Sequence, residues 1–151
     1  MILSRIVDGK TDVGATLNGA IAGLVSITAE PLTPSIGEAI IIGGIGGILC
    51  MFGMKLLDKI KIDDVVGAIP AHLIAGIWGT LIVPFTNSDA SYGIQILGIL
   101  AFGLFTVVTT SIIWLVLKKT VGIRASAEDE EYGLDMTEAG AKGYPEYISK
   151  N

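Results

Sequence analysis

Three ionisable side chains stand where a charge is costly or where a helix begins. They are Asp63, Asp64 and His72, in the stretch KIDDVVGAIPAHLIAGIWG, residues 61–79. His72 is the only histidine of the chain, and seven uncharged residues separate it from Asp64. A neutral imidazole both donates and accepts a hydrogen bond, and burial disfavours its charged form. Such a group suits a structural bond to another helix, a ligand to a metal or haem, or the lining of a path for a proton or small polar solute. The ligand reading has little to build on. The single Cys50 lies in a different apolar run, and paired axial histidines would need a second chain. No metal or cofactor is therefore expected. The structural and the path-lining readings both stay open on the residues alone. Asp63 and Asp64 are placed to cap a helix N-terminus and to complement its dipole, with attraction of a cation as the other reading.

On a helix, Ala68, His72, Gly76 and Gly79 share one face at spacings of four, four and three, with Trp78 roughly opposite. That face is bare apart from the imidazole. Pro70, just upstream, frees a backbone carbonyl near it and is expected to bend the helix.

The elements that carry these groups are apolar. Four uncharged runs cover residues 13–29, 39–54, 65–88 and 90–117, against the roughly 20 residues that a spanning helix needs. Half the residues are hydrophobic, 17% are charged, 20 are glycine, and the mean hydropathy is +0.68. The pattern predicts an all-α membrane protein with four transmembrane helices, at about 12–30, 36–57, 65–86 and 92–118. They would form a membrane part, 1–119, followed by a tail, 120–151, with seven acidic and three basic side chains. The N-terminus has no basic region ahead of a long apolar core, so a signal peptide is not expected.

Arg5 and Lys10 precede the first run; Lys55, Lys59 and Lys61 lie between the second and third; Lys118, Lys119 and Arg124 follow the fourth. The other two connections, EPLTPSIGE and TNSDASYG, contain neither Lys nor Arg. If the spans alternate, this places the N-terminus and tail in the cytoplasm. Tyr92 and Trp114, near opposite ends of the fourth run, suit the interfacial belts. Gly19 and Gly23, and Gly43 and Gly47, form GxxxG pairs that allow tight helix packing. They imply no specific partner.

The stretch LLDKIKIDDVVGAIPAHLIAGIWGTL, residues 56–81, resembles the signature of the ammonium transporter (Amt/Rh) family, whose usual form is close to KIDDPVGAIPVHGxxGIWGTL. LNGAIAGLVSITA, residues 17–29, is similar to that family's eighth membrane helix. GIRASAEDEEYGLDMTEAGAKGYPEY, residues 122–147, is similar to its cytoplasmic tail. The resemblance covers nearly the whole chain in family order. It implies the C-terminal part of an eleven-helix fold, helices eight to eleven plus the tail. It also implies a homotrimer and a narrow apolar pore with two histidines at its middle. By its place in GAIPAH, His72 corresponds to the second. The first histidine, the aromatic gate and the ammonium-recruiting site would come mostly from the first seven helices. The implied function is movement of ammonium, as ammonia plus a proton, across the plasma or inner membrane. The implied partners are lipid and, at the cytoplasmic face, a P-II-type nitrogen-signal protein; neither enzymatic activity nor nucleic acid is expected. The sequence departs from the family pattern at Val65 (usually Pro), Leu73 (usually Gly) and Ala139-Gly140-Ala141 (usually His-Gly-Glu). The alternative is a non-transporting sensor or scaffold module in which His72 is structural.

Overall fold

Backbone polarity dictates helices wherever water is excluded, because each helix satisfies its own N–H and C=O groups. The computed structural model describes residues 1–138, 140 and 141. Among these, every regular element is helical. A short α1 (Ile2–Asp8) precedes α2 (Val13–Thr28) and α3 (Ile36–Lys59). Then come α4 (Ile69–Thr86) and α5 (Tyr92–Thr120), followed by the short α6 (Ala127–Tyr132) and α7 (Leu134–Thr137). Three of them, α3, α4 and α5, are long and apolar enough to cross a membrane; α2, with 16 residues, is apolar but shorter. The chain divides into two units, Met1–Leu104 and Phe105–Asn151, with the division inside α5. Residue 139 and the GYPEY stretch of the tail lie outside the described residues.

Local chemistry explains the helix ends. Asp12 Oδ1 accepts from the Ala15 N–H at 2.7 Å and starts α2. Ser35 and Glu38 form a reciprocal capping box at the start of α3. At the other end of α3, the Ile62 N–H donates to Leu57 O and the Lys61 N–H to Asp58 O, with Lys61 left-handed at φ 59°. That pairing is the Schellman stop.

Within Met1–Leu104, α2 and α3 are antiparallel and meet through their glycines. A Cβ added to Gly23 would lie 3.4 Å from Gly43 O, and one added to Gly47 would lie 3.3 Å from Gly19 O. The two GxxxG pairs thus face each other. Helix α4 runs parallel to α2, because Asn18 reaches Val66 near one end and Glu30 reaches Asn87 at the other. Lys55 and Asp8 form an ion pair where α3 ends beside α1. Lys55, the start of α2 and the start of α4 therefore lie at one end of this unit.

The tightest approach is between α2 and α4. A Cβ on Gly79 would overlap Ser26 O and come within 2.8 Å of Ser26 Cα, both backbone atoms. Gly44, by contrast, has nothing within 4 Å. Gly79→Ala is therefore expected to lower stability by about 1–3 kcal/mol, as overpacking does, and Gly44→Ala to leave it unchanged. Thermal unfolding of the two variants in one detergent compares them directly.

Candidate functional site

The residues around His72 form a turn, a wide helical coil and then an ordinary α-helix. The third helix is expected from residue 65, but regular helix starts only at Ile69. The cause is the Val65–Gly67 turn. Gly67 is buried and left-handed at φ 71°, and its N–H donates to Asp64 O at 3.1 Å. A side chain has no room here, since an added Cβ would lie 2.5 Å from Asn18 Nδ2. The two aspartates differ. Asp64 Oδ1 accepts from the Ala68 N–H and Oδ2 from the Ile69 N–H, both at 2.8 Å. The carboxylate thus takes up two of the N–H groups that a helix start leaves unpaired. Asp63 is exposed and makes no hydrogen bond to a described residue.

From Ile69 to Ile74 the backbone of α4 is π-helical, and from Ala75 onward it is α-helical. Pro70 is fully buried in this coil. It packs on Gly53 of α3, where an added Cβ would lie 2.9 Å from Pro70 Cβ and 2.8 Å from Ile74 Cδ1. The expected bend at Pro70 is thus realised as a change of helical register. Residues four apart fall just short of a full turn in the wider coil and just past one in the α coil, so both keep them on one face. Ala71, Ala75, Gly79 and Val83 stack as the buried face of α4. The expected stripe of Ala68, His72, Gly76 and Gly79 is corrected accordingly. Ala68 and His72 are exposed, Gly76 is half-buried beside Val25, and Gly79 belongs to the packed face. Trp78 turns to α3, its indole N–H donating to Ile42 O at 3.0 Å.

His72 is exposed on α4, beside the buried stack, and its imidazole makes no hydrogen bond to a described residue. Among the described residues no three side chains of His, Cys, Asp or Glu come together to hold a metal. Two side chains of α2 that the sequence reading passed over also touch this region. Asn18 Nδ2 donates to Val66 O at 2.7 Å. Ser26 is buried; its hydroxyl donates to Ala22 O at 2.7 Å and lies 3.4 Å from Ala75 O. Both are polar members of an uncharged run, eight residues apart and so on one face of α2. That spacing was the signal available for them.

The protein-family model described as Ammonium Transporter Family matches residues 1–144. Ammonium transporter Amt2 of Archaeoglobus fulgidus is 39% identical over 169 residues, covering 98% of this chain and 36% of that protein. Ammonium transporter Amt1 of Haloferax mediterranei is 31% identical over 156 residues, 100% of this chain and 30% of that protein. An ammonium transporter of Bacillus subtilis is 33% identical over 162 residues, 95% of this chain and 40% of that protein. The chain thus spans about a third of the length of these relatives.

The asymmetry between the two aspartates is measurable. Asp64→Ala removes a carboxylate that accepts two backbone N–H groups and is expected to cost about 1–2 kcal/mol, at the upper end of cap deletions. Asp63→Ala is expected to stay within about 0.5 kcal/mol, as exposed substitutions do. Equal losses in a thermal unfolding series would contradict this assignment.

Proposed function

The chain belongs to the ammonium transporter family, a family of transporters rather than enzymes, and from that premise we propose that it forms the C-terminal part of a channel for ammonium, with His72 lining the pore. The observation that carries this reading is the imidazole itself. It stands on an apolar helix, faces away from the packed stack and has no partner among the described residues. A histidine whose role was to join these helices would be bonded to one of them.

The chemistry follows from solvation. Placing a bare cation in a dry apolar passage costs tens of kcal/mol on a Born estimate. Ammonium can shed a proton and cross as neutral ammonia, whereas sodium and potassium have no proton to lose. A neutral imidazole can hydrogen-bond ammonia as donor or as acceptor, and a proton can move separately. Selectivity then arises from deprotonation rather than from a fitted cage.

The membrane arrangement belongs to the same proposal. Residues 1–119 lie in the plasma or inner membrane as four spans, with α2 as the first, in a homotrimer of longer subunits. Residues 120–151 form a cytoplasmic tail that meets a P-II-type partner. The gathering of Lys55 with the starts of α2 and α4 at one end of the unit supports a shared cytoplasmic side.

Two measurements in the full-length transporter test these statements. With Cys50 replaced by Ser, cysteines placed at Ser35 and Ser88 should react with an impermeant reagent from outside the cell; reaction only from the cytoplasm would reverse the topology. His72→Ala should impair methylammonium uptake or admit potassium while the trimer still assembles. Normal uptake with potassium still excluded, together with a destabilised trimer, would make His72 structural and favour a sensor or scaffold module.

A further inference from the structure

Helix α4 carries four side chains able to form ordinary hydrogen bonds: His72, Trp78, Thr80 and Thr86. Two of them are engaged. The Trp78 indole donates to Ile42 O at 3.0 Å, and the Thr86 hydroxyl donates to Val83 O at 3.3 Å. The Thr80 hydroxyl, like the His72 imidazole, makes no hydrogen bond to a described residue. The other helical threonines of Met1–Leu104 behave differently. Thr16, Thr28 and Thr86 all turn back onto a carbonyl of the preceding turn, at 2.6, 2.6 and 3.3 Å. Thr80 is half-buried. No buried side-chain oxygen among the described residues lacks a partner, so its hydroxyl lies open rather than sealed in the packing.

The backbone adds a second acceptor at the same place. Pro84 stands four residues on, inside α4. It has no N–H, so Thr80 O lacks the donor that an α-helix would supply. Thr80 also has a defined place relative to His72. Eight residues of unbroken α-helix would set it about 80° round from the imidazole. The wider coil of Ile69–Ile74 turns less per residue and closes much of that gap. His72, Gly76 and Thr80 therefore follow one another beside the packed stack of Ala71, Ala75 and Gly79, and Gly76 puts no side chain between them. Thr80 lies about 12 Å along the helix from His72, on the side away from the start of α4. We propose that Thr80 is a second contact on the pore line of α4, binding ammonium as a hydrogen-bond donor on the outer side of His72. Ammonium carries N–H donors and no lone pair, so acceptors hold it. The Thr80 hydroxyl and carbonyl oxygens supply two at one point of an otherwise apolar wall. Ammonia, which has a lone pair, suits the imidazole as well. The choice of ammonium as ligand rests on the pore reading above; the open hydroxyl and its alignment with His72 do not.

The test compares affinity with stability in the full-length transporter. Thr80→Val keeps the shape of the side chain and removes the hydroxyl. It is expected to raise the KM for methylammonium about tenfold, the low end for a hydrogen bond to a charged group. The melting temperature of the trimer should stay unchanged, because no bond to a described residue is lost. Thr80→Ser, which keeps the hydroxyl, is expected to hold KM near its original value. Thr86→Val, whose hydroxyl is already bonded to Val83 O, should do the same. An unchanged KM in Thr80→Val overturns the proposal, as does an equal rise in Thr80→Ser or Thr86→Val. A rise in KM matched by a lower melting temperature also overturns it and makes Thr80 a packing residue. Methylammonium uptake by His72→Ala, measured alongside, judges the pore reading alone. If that variant transports normally and excludes potassium, the role of His72 fails, while the KM of Thr80→Val still decides whether Thr80 holds the ion.

Discussion

The contact of α2 with the backbones of α3 and α4 is the constraint on which the rest of the first unit depends. Among apolar helices in lipid the hydrophobic effect gives little reason to associate, so van der Waals contact and interhelical hydrogen bonds carry the packing. Those terms fall steeply with distance: a gap of under an ångström already forfeits a quarter to a half of the attraction between two atoms. Glycine at 19, 23, 43 and 47 lets α2 and α3 approach backbone to backbone, and glycine at 46 and 79 admits Ser26 between α3 and α4. At such separations the Asn18 amide can reach Val66 O and the Asn87 amide can reach Glu30.

The same closeness explains how the unit deals with its polar atoms. Among the described residues no buried side-chain nitrogen or oxygen lacks a hydrogen-bond partner. Trp78, Ser26 and Asp64 each bond to backbone rather than to another side chain, and Asn18 bonds to the Val66 carbonyl with Met54 Sδ beside it. His72 stands outside this internal accounting, exposed beside a stack of small residues.

Much of this was legible in the sequence because hydropathy and charge report directly on solvation. The apolar runs marked α2 to α5, and the GxxxG pairs marked the surfaces on which α2 and α3 meet. The start of α4, at Ile69, lies four residues beyond the start of its apolar run. A hydropathy pattern does not distinguish an apolar turn such as Val65–Gly67 from the first turn of a helix. The π coil was hidden for a related reason: it changes which backbone groups pair and leaves the order of apolar residues untouched. With it went the expected stripe, since Gly79 shares a face with His72 only in an unbroken α-helix. Asn18 and Ser26 were visible as polar residues in an uncharged run, but their partners are backbone carbonyls, which every residue has, so residue identity could not single out Val66.

The last long helix differs from the others. No residue of α5 is buried among the described residues, and its apolar window has a mean hydropathy of 2.3, above that of α3 or α4. A helix apolar along its length satisfies its own backbone and gains from lipid whichever face it turns. Such a segment can enter the bilayer on its own hydropathy, without a packed neighbour to receive it. The helices rich in glycine lack that independence. Their stability is collective and rests on the mutual recognition of α2, α3 and α4.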